Sequence, residues 1–320
     1  MSTLSRSTSP APVTRRANGG VIQRLWHDRW IYLFLAPTLV LYALFTLWPI
    51  IASYYYSLLD WNGFDQSGTF IGLANYVEVV QDPLFWNAFK NTFLFVFVTV
   101  PIRVGLALIA AIILNNPRLP FANIFRTTLF LPVVTTTAIV GVVMIFVFDP
   151  SSGPVNLALL DLGIIHHTVN FLGQADSALW VAMSIHIWKW FGITLIYWLA
   201  ALQTVAEELY EAARIDGANA RQTFWYVTVP LLIPFLVIIV LITAIDTLRV
   251  FDLILTLTNG GPDFATEVVE VYIYRWAFAA SIPRLGYASA AAVIFGLATM
   301  LLALGQGVGL RYVQRLWRAQ

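Results

Sequence analysis

The chain is poor in three things: cysteine, charge and lysine. It has 320 residues and no cysteine, which excludes disulfides, cysteine-ligated zinc and thiol catalysis. Only 11% of the residues are charged, whereas a soluble globular domain carries about 25%. The lysines are Lys90 and Lys189, and neither follows a glycine. The chain therefore lacks the Gly-Lys-Ser/Thr loop that holds nucleotide phosphates, and most of it is not built to face water.

Apolar sequence is abundant instead, with 59% hydrophobic residues and a mean hydropathy of +0.76. A helix needs roughly 20 mostly apolar residues to cross a bilayer. Six segments meet this requirement, and they predict an all-α membrane protein with six transmembrane helices. The predicted spans are 31–53, 92–114, 127–148, 178–202, 229–251 and 285–309.

The N-terminal residues 1–25 are rich in serine, threonine, arginine and proline. This composition predicts a disordered tail, because it offers too little apolar surface to pack. The first apolar run is long, and no small-residue cleavage site closes it early. We therefore expect it to remain as a membrane anchor, and residues 26–320 to form one six-helix transmembrane domain.

The distribution of Lys and Arg predicts the orientation in the membrane. Cytoplasmic loops carry an excess of these residues. One side holds twelve of them: Arg6, Arg15, Arg16, Arg24, Arg29, Arg118, Arg126, Arg214, Arg221, Arg311, Arg315 and Arg318. The opposite loops hold only Lys90, Arg275 and Arg284. We therefore expect both termini in the cytoplasm of a multi-pass protein.

The loop at 203–228, between the fourth and fifth spans, is the most specific feature of the sequence. Acidic residues open it and alanines follow, a pattern that favours a helix. Gly217 should end this helix, because glycine accepts a sharp turn without steric cost. A second short helix is expected over 218–226, running into the fifth span. Two short cytoplasmic helices joined at a glycine would form a rigid knob that fits a cleft in a partner.

The motifs around this loop resemble those of binding-protein-dependent ABC permeases. The coupling motif of that family is similar to Glu211-Ala212-Ala213, followed by Gly217-Ala218 and Val229-Pro230, and Asp216-Gly217-Ala218 resembles the carbohydrate-uptake branch. Three further stretches resemble that branch: Phe70 to Tyr76, Asn91-Thr92 and Phe130-Leu131-Pro132. The stretch from Thr258 to Pro262 resembles an outer-loop signature of the maltose-permease-like first subunit. The extra outer domain and leading spans of the best-known maltose subunit have no counterpart here.

This resemblance implies a type I ABC importer permease fold and a sugar as solute, with the knob docked on a separate ATPase. The residues implied in ATPase coupling are Glu207, Glu208, Glu211, Ala212, Ala213, Asp216, Gly217 and Ala218. The implied partners are a second permease subunit in a heterodimer, two ATP-binding cassette subunits that use ATP and magnesium, and an extracytoplasmic solute-binding protein. The implied location is a bacterial or archaeal inner membrane. No nucleic acid, metal or cofactor of this chain's own is expected.

Polar residues inside the fourth and fifth spans predict a solute cavity. Charges within a bilayer are costly and usually face a cavity or a partner. Residues three or four positions apart share one helical face. The predicted lining is His186, Lys189, Trp190 and Ile193 on the fourth span, and Thr243, Asp246, Thr247 and Val250 on the fifth.

A purely structural role for these charges stays open at this point. Lys189 could pair with Asp246, or Asp246 with Arg249, without touching solute. Arg103 in the second span could pair with an acidic group on the companion subunit or reach the membrane surface. The outer segment 266–280 predicts a short helix that either meets the binding protein or braces the outer face.

Two other functions are compatible with parts of this pattern. An ABC permease for another solute, such as a glycerol phosphoester, would need more fixed positive charge in its cavity than Lys189 provides. An ion-coupled secondary transporter could use Asp246 and Lys189, but we expect inverted repeats or broken helices in that class. Catalytic residues are not expected, since no His-Glu-x-x-His or serine-elbow pattern occurs.

Overall fold

A computed structural model describes residues 29–66, 68–116 and 119–318, with side chains up to residue 309. The chain divides into two compact units, residues 1–52 and 53–320. In the first unit, α1 (Arg29–Tyr42) leads through a π-helical segment, Ala43–Leu47, into the start of α2 (Trp48–Tyr56). The predicted disordered tail, residues 1–25, lies outside the described residues.

The second unit is built from helices and one small antiparallel sheet, in which β1 (Leu59–Asp60) pairs with β2 (Thr69–Phe70). Its helices are α3 (Ala74–Gln81), α4 (Pro83–Leu114), α5 (Ala122–Val134), α6 (Thr137–Val147), α7 (Pro154–Asp161), α8 (Ala175–Leu202), α9 (Glu207–Ile215), α10 (Ala220–Thr223), α11 (Val229–Thr247), α12 (Phe251–Leu257), α13 (Val269–Tyr274) and α14 (Leu285–Arg318). Two π-helical segments, Phe224–Thr228 and Arg275–Ala279, follow α10 and α13.

The helices confirm an all-α membrane protein. In the described part of the chain, five helices are long and apolar enough to span a bilayer. A sixth span exists if α5 and α6 are counted together. The expectation of one regular helix over 127–148 was wrong, because α5 and α6 meet at a bend of 100°. Pro132 lies just before this break, and proline removes a backbone donor from a helix interior.

The fifth span also differs from the prediction. The helix that contains α11 already begins at Ala220 and runs without interruption to Thr247. The short helix expected over 218–226 is therefore the first part of the span itself. The second span begins early as well, because Asp82 caps it and Pro83 occupies its first turn, the position where proline is tolerated.

The core of the second unit lies where α4, α8 and α11 meet. The indole nitrogen of buried Trp198 donates to the carbonyl oxygen of Val104 at 3.0 Å, which joins α8 to α4. Gly192 lets α8 approach α5 closely, since a Cβ there would lie only 2.6 Å from Phe130 Cα. The Phe130-Leu131-Pro132 motif is thus the backbone surface against which α8 packs.

Two other motifs from the resemblance, at Asn75 and Asn91, satisfy buried backbone groups. Asn75 is buried and donates to the carbonyl oxygens of Ser57 and Leu59, at 2.9 and 2.8 Å. Asn91 donates to the carbonyl oxygens of Ala265 and Glu267, both at 3.0 Å. These amides hold irregular outer segments against the helices, as buried polar backbone groups require.

The outer segment 266–280 forms α13 and the π-helical turn after it. Val269, Val271 and Tyr272 are buried, and the Tyr272 hydroxyl donates to Asp82 at the start of α4. The hydroxyls of Tyr272 and Tyr287 lie 2.6 Å apart, which ties the segment to α14. These contacts brace the segment against α4 and α14.

The close contact at Gly192 yields a first prediction. Gly192→Ala should lower the free energy of unfolding by about 1 to 3 kcal/mol, because the added methyl group overpacks the α5–α8 contact. Gly105→Ala is the matched control, since its Cβ would meet nothing within 4 Å. Denaturant titration of the purified protein measures both. Equal stability of the two variants would contradict the packing described here.

Glu267 yields a prediction about pH. Its side chain is fully buried, and burial raises the pKa of its carboxyl group to about 7, although Arg275 Nη2 lies 3.1 Å from Oε1. The folded state therefore favours the protonated form. The protonated Glu267 carboxyl group contributes its full stabilisation of the fold below the ordinary pKa of glutamate. This contribution is lost as the pH rises through about 7.

Unfolding temperatures measured from about pH 5 to about pH 8 should fall with pH in the wild type, and less so in Glu267→Gln. Glu78→Gln is the control, because the hydrogen bond with Arg284 lowers the pKa of Glu78 and keeps it ionised over this range. If the unfolding temperature falls with pH as steeply in Glu267→Gln as in the wild type, the assignment of this pH dependence to Glu267 is refuted.

Candidate functional site

A small recess opens between α8 and α11 in the middle of the membrane helices. It has a volume of about 90 Å³, room for a few water molecules. Its lining consists of Arg103, Trp190, Ile193, Tyr197, Ile242, Thr243 and Asp246. The two aromatic side chains and Ile193 come from α8, whereas Ile242, the Thr243 hydroxyl and the Asp246 carboxylate come from α11 and Arg103 comes from α4.

The predicted solute-cavity residues divide into two groups. Trp190, Ile193, Thr243 and Asp246 line the recess. His186, Lys189, Thr247 and Val250 are buried in contacts with neighbouring helices. The sequence interpretation missed Tyr197, although it lies one further turn along the face of Trp190 and Ile193, at a spacing that extends the same stripe.

Lys189 stabilises the bend of the third span. Its Nζ donates to the carbonyl oxygens of Pro132 and Thr135, at 3.4 and 2.8 Å. The residue is 1% exposed. The last carbonyls of a helix lack intrahelical partners, and a cation there also meets the negative end of the helix dipole. Lys189 therefore caps α5 where the chain turns into α6.

Asp246 pairs with Arg103, and neither of the two pairings considered from sequence forms. Arg103 Nη1 lies 3.6 Å from Asp246 Oδ2. Among the described residues, no ion pair within 4.0 Å joins Asp246 to Lys189 or to Arg249. From the sequence, Arg103 was expected to pair with an acidic group of the companion subunit or to reach the membrane surface. This expectation was wrong, because Asp246 on α11 supplies the opposite charge.

The guanidinium of Arg103 also binds two further groups. Its Nη1 lies 3.3 Å from His186 Nε2, and its Nη2 lies 3.5 Å from the Thr243 carbonyl oxygen. Arginine can only donate, so His186 Nε2 must accept and the imidazole is neutral. Arg103 thus connects the second, fourth and fifth spans through one buried side chain.

The loop between α8 and α11 folds as a helix, a tight turn and a second capped helix. The amide of Ala218 donates to the Ala213 carbonyl oxygen at 2.9 Å, and Gly217 has φ of +79°, a conformation that favours glycine. Asn219 and Gln222 then form a reciprocal capping box. The turn is therefore specified by its own side chains.

The end of α9 presents an apolar side chain that the sequence interpretation did not single out. Ile215 is 86% exposed, immediately before the turn at Asp216 and Gly217. Its signal in the sequence is an isoleucine in the last turn of a helix that opens with acidic residues. Beside α9 lies a cavity of about 860 Å³, lined in part by Glu207, Tyr210 and Arg214. The exposed isoleucine is thus on the helix that forms one wall of this cavity.

Among the described residues, no three His, Asp or Glu side chains lie close enough together to hold a metal ion.

Comparison with known proteins identifies the class. Residues 103–318 match the family described as binding-protein-dependent transport system inner membrane component. The chain belongs to this family, and it is a multi-pass membrane transport subunit rather than an enzyme.

Three individual proteins illustrate the similarity. The lactose transport system permease protein LacF of Rhizobium radiobacter is 35% identical, over 86% of this chain and 92% of that protein. The sn-glycerol-3-phosphate transport system permease protein UgpA of Yersinia pestis is 33% identical, over 90% and 95%. A crystal structure of a bacterial alginate ABC transporter, in complex with an alginate pentasaccharide-bound periplasmic protein, superposes with a TM-score of 0.77. Its sequence identity is 25%, and the match covers 89% of this chain and 95% of that chain.

The Arg103–Asp246 pair yields a prediction for a double-mutant cycle. Arg103→Gln and Asp246→Asn should couple by about 1 to 3 kcal/mol, because either change alone leaves a partly buried charge without its partner. The control cycle pairs Lys189→Gln with Asp246→Asn and should couple by less than about 0.5 kcal/mol. Unfolding by SDS titration measures both. Strong coupling in the control cycle and none in the first would reverse the assignment of partners.

Proposed function

We propose that this chain is one membrane-spanning subunit of an ATP-driven sugar importer and forms half of the path through which the sugar crosses the membrane. Family membership supplies the transport class. Support for a sugar comes from the lactose system of LacF and from the alginate pentasaccharide of the solved transporter. The recess between α8 and α11 is too small to hold a sugar by itself, but Trp190 and Tyr197 lie there next to hydrogen-bonding groups, a combination that suits the wall of a larger sugar path.

The companions of the chain follow from the same proposal. A second permease subunit completes the path in a heterodimer, two ATP-binding cassette subunits hydrolyse ATP with magnesium, and an extracytoplasmic binding protein delivers the sugar. The periplasmic protein in the alginate transporter structure supports the last of these. The excess of arginine on one side of the sequence supports an orientation with both termini in the cytoplasm.

The exposed end of α9 is the observation that supports a role in coupling to the ATPase. A rigid turn built by Gly217 and the Asn219–Gln222 box presents Ile215 to the outside of the chain. We assign this surface, with Glu207, Glu208, Glu211, Ala212, Ala213, Asp216 and Ala218 around it, to ATPase docking. Because the helix containing α10 continues into α11 without interruption, movement of the docked ATPase is transmitted to the span that carries Thr243 and Asp246.

The bent third span is a feature that we also expected of an ion-coupled transporter. Family membership outweighs it, since the whole region from Arg103 onward matches the binding-protein-dependent class. The bend itself is accounted for by Pro132 and the Lys189 cap.

Ile215→Asp tests the docking surface. An aspartate cannot enter an apolar cleft without a large desolvation cost, so the ATPase should be lost from the purified complex, with at least about a tenfold fall in sugar-stimulated ATP hydrolysis. The fold should be unaffected, because the side chain is already exposed.

Ile282→Asp is the matched control. Ile282 is 72% exposed and lies between α13 and α14, away from α9. Retention of ATPase and of hydrolysis in the control, together with their loss in Ile215→Asp, is the expected result. A complex that tolerates both changes would refute docking through α9.

A further inference from the structure

One side of α9 borders open space rather than packed side chains. The cavity of about 860 Å³ separates this side of α9 from the end of α4, and its walls include Glu207, Tyr210 and Arg214 on α9 and Ile112, Asn115 and Asn116 at α4. Close packing is what normally fixes a helix in a protein interior. On the side of the cavity, α9 therefore needs a specific contact to keep its position when a partner pushes on it.

A hydrogen bond at the edge of this cavity joins α9 to the fifth span. Thr228 Oγ1 donates to Tyr210 Oη at 3.3 Å. Thr228 is 6% exposed and belongs to the helix that runs from Ala220 to Thr247, whereas Tyr210 lies on α9. The contact therefore holds α9 to the span at a second point, in addition to the turn at Gly217.

Val229-Pro230, a motif that the resemblance brought out, accounts for the position of Thr228. Proline lacks an N–H, and in a regular helix its ring crowds the carbonyl group four residues earlier, here that of Tyr226. The chain widens at this point into the π-helical segment before α11, and the Val229 amide donates to the Phe224 carbonyl oxygen five residues earlier. Such single π-helical turns are frequent at functional sites. The wide turn ends at Thr228 and presents its hydroxyl to α9.

We infer that the Tyr210–Thr228 hydrogen bond transmits movement of α9 to the fifth span, and that both are positioning residues for transport. This inference rests on the proposed role of α9 in ATPase docking and adds the side chains that pass the movement on. Tyr210 and Thr228 are not among the residues assigned to the docking surface. Loss of their hydrogen bond should therefore leave the ATPase bound and weaken the coupling between nucleotide and the membrane helices, which is a free energy shared by the two sites.

The test follows the fifth span in the assembled transporter, with its binding protein, in lipid nanodiscs. The chain has no cysteine of its own, so Ile238→Cys places one nitroxide label at an exposed position of the span. A second label lies on the fifth span of the companion subunit. Double electron–electron resonance measures the distance between the labels without nucleotide and with magnesium and AMP-PNP, a non-hydrolysable ATP analogue. In the wild type, we expect a second distance to appear with the nucleotide.

Tyr210→Phe and Thr228→Val each remove one hydroxyl group and keep the size of the side chain. In both variants, the ratio of the nucleotide-dependent distance to the resting distance should fall by about two- to tenfold, the worth of one hydrogen bond. The double variant should fall no further than either single variant, because all three lack the same bond.

Two control variants separate this effect from a general disturbance of the fold. Thr228→Ser keeps the hydroxyl group and should retain the wild-type ratio. Tyr226→Phe also removes a hydroxyl group from the same π-helical segment, but Tyr226 is 80% exposed. It should leave the ratio unchanged.

The outcomes distinguish this inference from the proposed function. Wild-type ratios in Tyr210→Phe and Thr228→Val, or a Thr228→Ser variant as impaired as Thr228→Val, would overturn the inference and leave the proposed function standing. Loss of the ATPase from Tyr210→Phe would assign Tyr210 to docking and overturn the inference as well. If the wild type shows no nucleotide-dependent distance although the ATPase is bound, the proposed coupling function fails, and the inference fails with it.

Discussion

Arg103 is the residue on which the centre of this molecule depends. A guanidinium inside a bilayer cannot be left without partners, because no water is available to replace them. Here it binds His186 on α8, and the Thr243 carbonyl and Asp246 on α11. These contacts fix the relative positions of three spans. They also place a carboxylate and a hydroxyl on the wall of the recess, so the same side chain holds the fold and shapes the site.

In the bent third span, too, a buried charged side chain binds polar groups of a neighbouring helix. Bending a transmembrane helix frees carbonyl oxygens, and Lys189 reaches across from α8 to bind two of them. Gly192, one turn further along α8, brings α8 into backbone contact with α5. Lys189 and Asp246 suggested solute binding because they are charges inside the membrane. In the structure both are engaged in holding helices together.

The sequence was sufficient for features that depend on local composition. Long apolar runs predict spans, and Gly217 predicts the turn, because each follows from a few adjacent residues. The pairing of Arg103 with Asp246 could not be predicted, since these residues are far apart in the chain and meet only through helix packing. The bend at Thr135 had a local signal, because Pro132 is followed by β-branched threonines. The uniformly apolar composition of the segment outweighed this signal. Tyr197 extends the stripe of Trp190 and Ile193 by one turn, whereas the exposure of Ile215 depends on how the loop folds.

A cryo-electron microscopy structure of the assembled transporter with a bound sugar would show whether the wall formed by Arg103 and Asp246 belongs to the sugar's path. We expect sugar density next to Trp190 and Thr243, with Arg103 still paired with Asp246. Sugar bound elsewhere, or Arg103 turned away from Asp246 to an acidic residue of the companion subunit, would contradict this assignment.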